Sequence, residues 1–415
     1  MPPLKQSAIK KMSKRVLFLI ENLSFLQDRR VAQEALAVQS LGWQVFVVAP
    51  GNKDQKKEEN INGISVFRYP AKIFPSGFWG YFQEYTYALY QTFFLALKIY
   101  FRPGGFSVIH AANPPDLFFL IGAFFKIFGV RFIYDQHDLA PEMFLAKFNT
   151  SRTHLLYWAT RFAERLSYLL ATTHIATCQV GLDFFLKSRN LKNKKSQIVR
   201  TAPDLSLLNS FGANPKLLNR LTAIKKDFPY LGVYLGVMGH QDGLSKLLRS
   251  IEIFVKKSKR KDIGFLLLGS GDALNDLRIT VGKMGLENRV FFLGWMEPKE
   301  TAACLEVADF GLMPEPKNDY TDYSLHNKVL EYLAFGLPFV SYDLKEVQNN
   351  GHAAALYAKN NNEEEYAELI NQMLNNLDSQ KKEGQKRKAE IMTDQSLSWD
   401  NSIKTLKEIY LKLDK

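Results

Sequence analysis

The chain has 415 residues, 46% of them apolar and 23% charged, with a formal charge of +12. That length exceeds one ordinary compact core and suits two α/β domains, and the apolar content excludes a largely disordered chain. The surplus of Lys and Arg favours acidic partners or an anionic surface; with no helix-turn-helix, zinc-finger or RNP-like pattern beside it, it does not indicate nucleic acid.

Residues 1–15 are basic, and the apolar run at 16–20 behind them is too short for a signal-peptide core. No stretch reaches the ~18–20 uninterrupted apolar residues of a membrane span. Residues 117–133 come closest, and Lys126, Gly129 and Arg131 interrupt them. A cytoplasmic protein is expected, soluble or peripheral on the inner face of the plasma membrane.

Residues 15–20 read as a first strand, followed by a helix over 30–41 with Val31, Ala35, Leu36 and Val38 on one face. Asp28, Arg29 and Arg30 open that helix, with the arginines exposed either to an acceptor or to solvent. Gly42 ends it, and 44–49 is the next strand. Residues 72–82 and 93–102 are aromatic with basic edges: a loop leading into a buried helix, or a surface touching a membrane. A strand at 107–110, a helix over 116–128 and a strand at 131–134 follow. Cys178 and Cys304 sit in apolar stretches without metal-ligand spacing and read as buried small hydrophobes.

A link is expected around 209–229, marked by Gly212, Pro215 and Pro229. Beyond it the alternation resumes with strands at 230–236, 264–269, 289–293, 309–313 and 337–341. Helices are read at 244–257, 299–308 and 327–335. Near-continuous apolar strands alternating with helices predict parallel sheets covered on both faces, an α/β fold. The expected domains are 1–212 and 213–395. A terminal helix over 396–415, with Trp399, Ile403, Leu406 and Tyr410, would pack back on the first.

The most informative segment is 314–338. A strand ends near Met313, and a polar loop leads into a helix that starts at Ser324 to Asn327. Ligands of open α/β sheets lie beyond the carboxyl ends of strands, and helix N-termini offer free N–H groups to phosphate. Lys328 and Glu331 are three apart and share one side of that helix, with Val329, Leu330 and Leu333 on its core face. A cation and a carboxylate there suit a diphosphate and a ribose diol, or form a surface ion pair.

This segment, with Ser324, Asn327, Lys328, Glu331, Tyr332, Ala334, Gly336 and Pro338, resembles the donor-site signature of retaining glycosyltransferases of family 4. The likeness is strongest to a bacterial branch that makes surface polysaccharides. The resemblance implies the GT-B fold, two Rossmann-like domains facing across a cleft, and transfer of a sugar from a nucleotide sugar. The acceptor would be a saccharide or a polyprenyl-linked saccharide. It implies that Glu331 binds the ribose hydroxyls and Lys328 the donor phosphates. The family's usual second glutamate, eight positions before Glu331, is Tyr323 here; Asp322 beside it, or Glu315, can substitute.

His137, in the stretch 134–142, resembles the family's histidine facing the transferred sugar or its acceptor, with Asp138 and Glu142 shaping the loop. Asp135 and Asp138 equally suit a helix cap. The turn 236–244 has glycines that let backbone approach phosphate; Gly239, His240 and Gln241 stand there in place of the family's usual Arg and Lys. Gly271 and Trp295 resemble loops lining the nucleotide pocket, and Arg200 matches a stretch before the interdomain link. No paired Asp-x-Asp arrangement suggests a metal, so none is expected, nor any cofactor besides the nucleotide-sugar co-substrate. Two other readings are an epimerase or phosphorylase on the same fold and a non-catalytic nucleotide-sugar binding subunit.

Overall fold

The computed structural model describes residues 14–52, 54–72, 77–201, 211–393 and 399–414. They form two compact units. One takes the chain up to 177, with 186–199 and 403–415; the other takes 178–185 and 200–402.

The first unit is built on strands β1 (Arg15–Leu19), β2 (Gln44–Gly51), β3 (Glu58–Ile61), β4 (Ile64–Pro70), β5 (Val108–Ala112), β6 (Arg131–Gln136), β7 (Thr173–Ala176) and β8 (Ser196–Ile198). They lie in the order β3-β4-β2-β1-β5-β6-β7-β8. All pairings are parallel except that of β3 with β4, which closes one edge as a hairpin. β1, β2 and β5 are buried on both faces, which is why their sequences run apolar without alternation. The core of Val16, Phe18, Val45, Val47, Val108 and Ile133 is completed by Leu406, Ile409, Tyr410 and Leu413 from helix Trp399–Leu413. The terminal helix therefore does return to the first sheet.

The second unit has β9 (Tyr230–Leu235), β10 (Ile263–Leu268), β11 (Val290–Gly294), β12 (Phe310–Met313), β13 (Phe339–Tyr342) and β14 (Ala355–Ala358). The order β11-β10-β9-β12-β13-β14 is parallel throughout. This is the doubly wound order, and its direction reverses between β9 and β12. Loops leaving those two strands therefore flank the crevice where such sheets bind ligands.

Three expectations need correction. The stretch read as a link carries helix Pro215–Asp227, capped by the Asn214 side chain, which accepts from Lys216 N–H. Pro215 sits in its first turn, where a missing N–H costs nothing, and Leu217, Leu221 and Ile224 join the core. The helix after residues 72–82 begins earlier than read, at Phe78, and runs to Tyr100; Trp79, Phe82, Tyr90 and Phe94 on it are exposed. Arg30 is not exposed but buried. Both cysteines are free and buried, as expected. Among the described residues no helix is long and apolar enough to cross a membrane.

Candidate active site

In the second unit three loops meet backbone to backbone at the reversal point. A Cβ on Gly269 would stand 1.8 Å from the carbonyl oxygen of Gly236, and one on Gly243 would stand 2.0 Å from that of Pro314. Gly269 also has φ +131°, a conformation open only to glycine without strain. Gly271 packs on the Met238 backbone, whose N–H donates to Ser270 O at 3.0 Å. The turns after β9, β10 and β12 are thereby locked into one polar floor.

Lys328 rises from the first turn of helix Asn327–Phe335 into this floor. Its ammonium lies 4.3 Å from the centroid of the Tyr234 ring, beside Gly236, and pairs with Glu315. Both charged groups are buried. The exposed cation expected from the helix spacing is thus an enclosed one, held by a carboxylate from the neighbouring loop. Glu315 Oε2 has no hydrogen-bond partner among the described residues. Asp242 completes the group: its Oδ2 accepts from Gly239 N–H at 2.8 Å, and burial pushes its carboxyl up to about 6 against the pull of Lys328. Gln241 Oε1 is also buried without a hydrogen-bond partner there. Asn327 and His240 are exposed, and Glu331 lies half-buried on the Lys328 helix. No side chain caps that helix, whose first turn leaves N–H groups for a ligand.

Other residues singled out in the sequence go elsewhere. Asp322 serves the N-terminus of helix Lys345–Gly351, with Oδ1 accepting from Lys345 N–H at 2.9 Å and Oδ2 3.2 Å from Lys345 Nζ. Tyr323 stacks on Phe184 with centroids 4.0 Å apart. Ser324 Oγ donates to Tyr320 O at 2.7 Å, inside its own loop. Arg200 donates to Glu346 and Asn350, both at 3.1 Å, on that same short helix. Trp295 stands 61% exposed just beyond β11.

In the first unit His137 follows β6. Asn113 fixes its loop: Oδ1 accepts from His137 N–H at 2.6 Å and Asp138 N–H at 3.1 Å, while Nδ2 donates to Asp138 O at 2.8 Å. The imidazole Nε2 lies 2.6 Å from Asp135 Oδ2. Burial alone would raise the Asp135 carboxyl, but Arg30, His137 and His110 hold it well below the usual range. Arg30 Nη2 lies 2.8 Å from Asp135 Oδ1 and 3.1 Å from Glu34 Oε1. Glu34, Asp135 and His137 converge as closely as a set of metal ligands would, but the Arg30 guanidinium already supplies the cation. Neither Asp135 nor Asp138 caps helix Ala140–Phe148, whose N-cap is Leu139. Glu142 shapes the segment from below by a bidentate pair with Arg189, 2.9 and 2.6 Å.

One group is not singled out by the sequence. Beyond the carboxyl ends of β1, β2 and β4 lies a polar cavity of ≈ 150 Å³ whose lining includes Glu21, Asn22, Tyr69, Lys72 and Glu84. Burial, then the charge of Glu84, pushes Glu21 up to about 8. The place of Glu21 just after the first strand is a visible signal; Glu84, behind a stretch that reads as an aromatic loop, gives none.

Residues 27–200 match the family model for the glycosyl transferase 4-like domain, and residues 229–376 that for glycosyl transferases group 1. The chain is a GT-B-type glycosyltransferase. Solved structures share the transferase's fold. Sucrose-phosphate synthase from Thermosynechococcus elongatus superposes with a TM-score of 0.76 at 16% identity, over 96% of this chain and 98% of that one. WaaG, a glycosyltransferase involved in lipopolysaccharide biosynthesis, gives 0.68 at 15% identity over 95% and 98%. The Anabaena protein HepE, in complex with UDP-glucose, gives 0.65 at 16% identity over 96% and 99%. No curated protein matches the transferase by sequence.

Proposed function

We propose that this glycosyltransferase moves a sugar from a nucleotide-sugar donor to a saccharide or lipid-linked saccharide acceptor, with retention, as a family 4 enzyme of bacterial surface-polysaccharide synthesis. The observation that carries the reading is the buried Lys328 ammonium beside the glycine turn at the β9/β12 reversal point. Transfer breaks the anomeric C–O bond and leaves negative charge on the departing diphosphate. Lys328, the uncapped first turn of its helix and the amides of the glycine turn are fixed positive groups that offset this charge as it develops. Glu315 holds the ammonium in place before the donor arrives. A UDP-glucose complex of HepE supports a nucleotide sugar as the donor.

Glu331 takes the ribose hydroxyls, as the resemblance implies. Asp322 is engaged by Lys345 and Tyr323 by Phe184. Glu315 pairs with Lys328 through one oxygen, but its Oε2 has no hydrogen-bond partner among the described residues, so the acidic contact to the donor sugar falls to that oxygen. The acceptor hydroxyl attacks on the face from which the phosphate leaves and passes its proton to a departing phosphate oxygen. His137, oriented by Asp135, stands on the acceptor side, and the polar cavity of Glu21 and Glu84 takes acceptor hydroxyls. The test is to incubate the purified protein with a panel of nucleotide sugars, with and without saccharide acceptors, and to measure nucleotide release. Release dependent on an acceptor is expected. Interconversion of the donor alone, or tight donor binding with no release under any acceptor, would overturn the reading in favour of an epimerase or a binding subunit.

A further inference from the structure

An apolar cavity of ≈ 210 Å³ opens in the first unit among helices Phe78–Tyr100, Ala140–Phe148 and Leu155–Leu170. Tyr81, Tyr85, Met143, Phe144, Leu156 and Ala163 form much of its wall. It is smaller than the roughly 300–1,000 Å³ of a typical small-molecule site, so it suits a section of a flexible chain better than a whole sugar. A sugar would also leave most of its hydroxyls without partners on such a wall, where the charged side chains are Asp116 and Lys147 alone.

Two charged side chains reach the lining. Asp116 is buried, its Oδ1 accepting from Tyr134 at 2.6 Å and from Asn113 at 3.0 Å, while Oδ2 has no partner among the described residues. Lys147 bonds the Tyr81 hydroxyl, with its ammonium 4.4 Å from that ring's centroid. The cavity shares a wall with the His137 loop. Asn113, which holds His137 and Asp138, runs directly into Pro114, Pro115 and Asp116 of the lining, and Ala140 of the lining is three residues past His137. The same helices carry exposed apolar groups, Trp79, Phe82, Leu155 and Trp158.

We propose that this cavity holds the first segment of the hydrocarbon tail of a lipid-phosphate-linked acceptor, with Lys147 pairing the phosphate. The saccharide head then lies toward His137. This rests on the transferase reading above and narrows its acceptor to an amphiphile. Concavity, a lone cation on an apolar lining and a wall in common with the histidine loop together select a tail with an anionic joint over a bare sugar.

The experiment titrates the full chain with butyl, hexyl and octyl phosphate below their micelle concentrations, with inorganic phosphate and octanol as controls, by calorimetry. Affinity should rise about fourfold per added methylene until the cavity is full. Ala159→Trp places an indole on the exposed helix position that borders the cavity; it should abolish the length dependence without lowering the melting temperature. Thr160→Phe serves as a second obstruction. Lys147→Ala should weaken octyl phosphate about tenfold and leave octanol unchanged. Overturning results are affinity independent of chain length, unchanged binding in both obstructed variants, or binding only to anionic vesicles, which would make the face a membrane-contact surface. UDP binding, measured in parallel, reports on the donor reading alone, so the two readings can fail separately.

Discussion

Replacing Lys328 separates the energetic role of the polar floor from the chemical role proposed for it. Lys328→Ala leaves Glu315, 4% exposed, as a buried carboxylate without its cation. Breaking one partner of such a pair costs about 3–5 kcal/mol, a large share of the roughly 5–15 kcal/mol that holds a folded domain together. A fall in the melting transition of the single variant therefore says little about catalysis. The double variant Lys328→Met with Glu315→Gln restores a neutral interior of similar volume and should melt within a few degrees of the parent. Its transfer rate should nevertheless drop at least about 10²–10³-fold, the usual loss when one fixed donor to a developing anion is removed, since the Glu315 contact to the sugar is altered as well. Calorimetry gives the first quantity and acceptor-dependent nucleotide release at saturating donor gives the second. Near-parental turnover in the well-folded double variant would refute the assignment of Lys328 to the diphosphate.

Gly269→Ala should abolish nucleotide binding and lower stability, because its Cβ would stand 1.8 Å from Gly236 O at a φ of +131°; calorimetric titration with UDP checks the first and a melting curve the second. Asp135→Asn removes the buried carboxylate facing Arg30 and should cost about 3–5 kcal/mol in a denaturant titration. Its folded carboxyl is depressed, so the stability it contributes is present above the ordinary carboxylate range and is lost as pH falls through the lower folded value. Glu21 runs the other way. With its folded value pushed up to about 8, the native state binds the extra proton, and stability should decline as pH rises from about 4.5 toward 8. Glu21→Gln should flatten that decline, and a parental slope in the variant would assign it to another group. Glu331→Ala should raise the KM for donor at least tenfold while a 2′,3′-dideoxyribose donor responds little, as expected for a lost ribose contact.

The part of the molecule legible in the sequence is the part governed by one element's own pattern. The apolar runs of β1, β9 and β10 announce themselves because strands buried on both faces need no alternation. The loop and helix carrying Lys328 stand out because a polar loop set between an apolar strand and a periodic helix marks the ligand-facing end of a parallel sheet. Features set by tertiary partners escape that kind of reading. Glu58–Ile61 forms an edge strand from EENI, whose polar character reflects solvent on the edge and leaves no strand signal. Pro215 reads as a break until its place in a first helical turn is known. Arg30 and Lys328 both read as exposed, since only the positions of Asp135 and Glu315, on other elements, show that they are enclosed. Asp322 looks like a replacement for a missing glutamate, and only the start of the helix at Lys345 shows what occupies it.

The terminal helix has a consequence for the order in which the chain is assembled. Tyr410 hydrogen-bonds His110 across 300 positions of sequence, at 2.9 Å, inside a core whose other members are almost all in place by Val199. As the polypeptide leaves the ribosome, the first sheet must wait with an apolar face uncovered while the whole of the second unit is synthesised. The closing contacts are also the most distant ones, which slows the final step of folding. Expression should therefore depend more strongly on chaperone capacity in variants such as Tyr410→Ala than in equally destabilising changes within the second sheet.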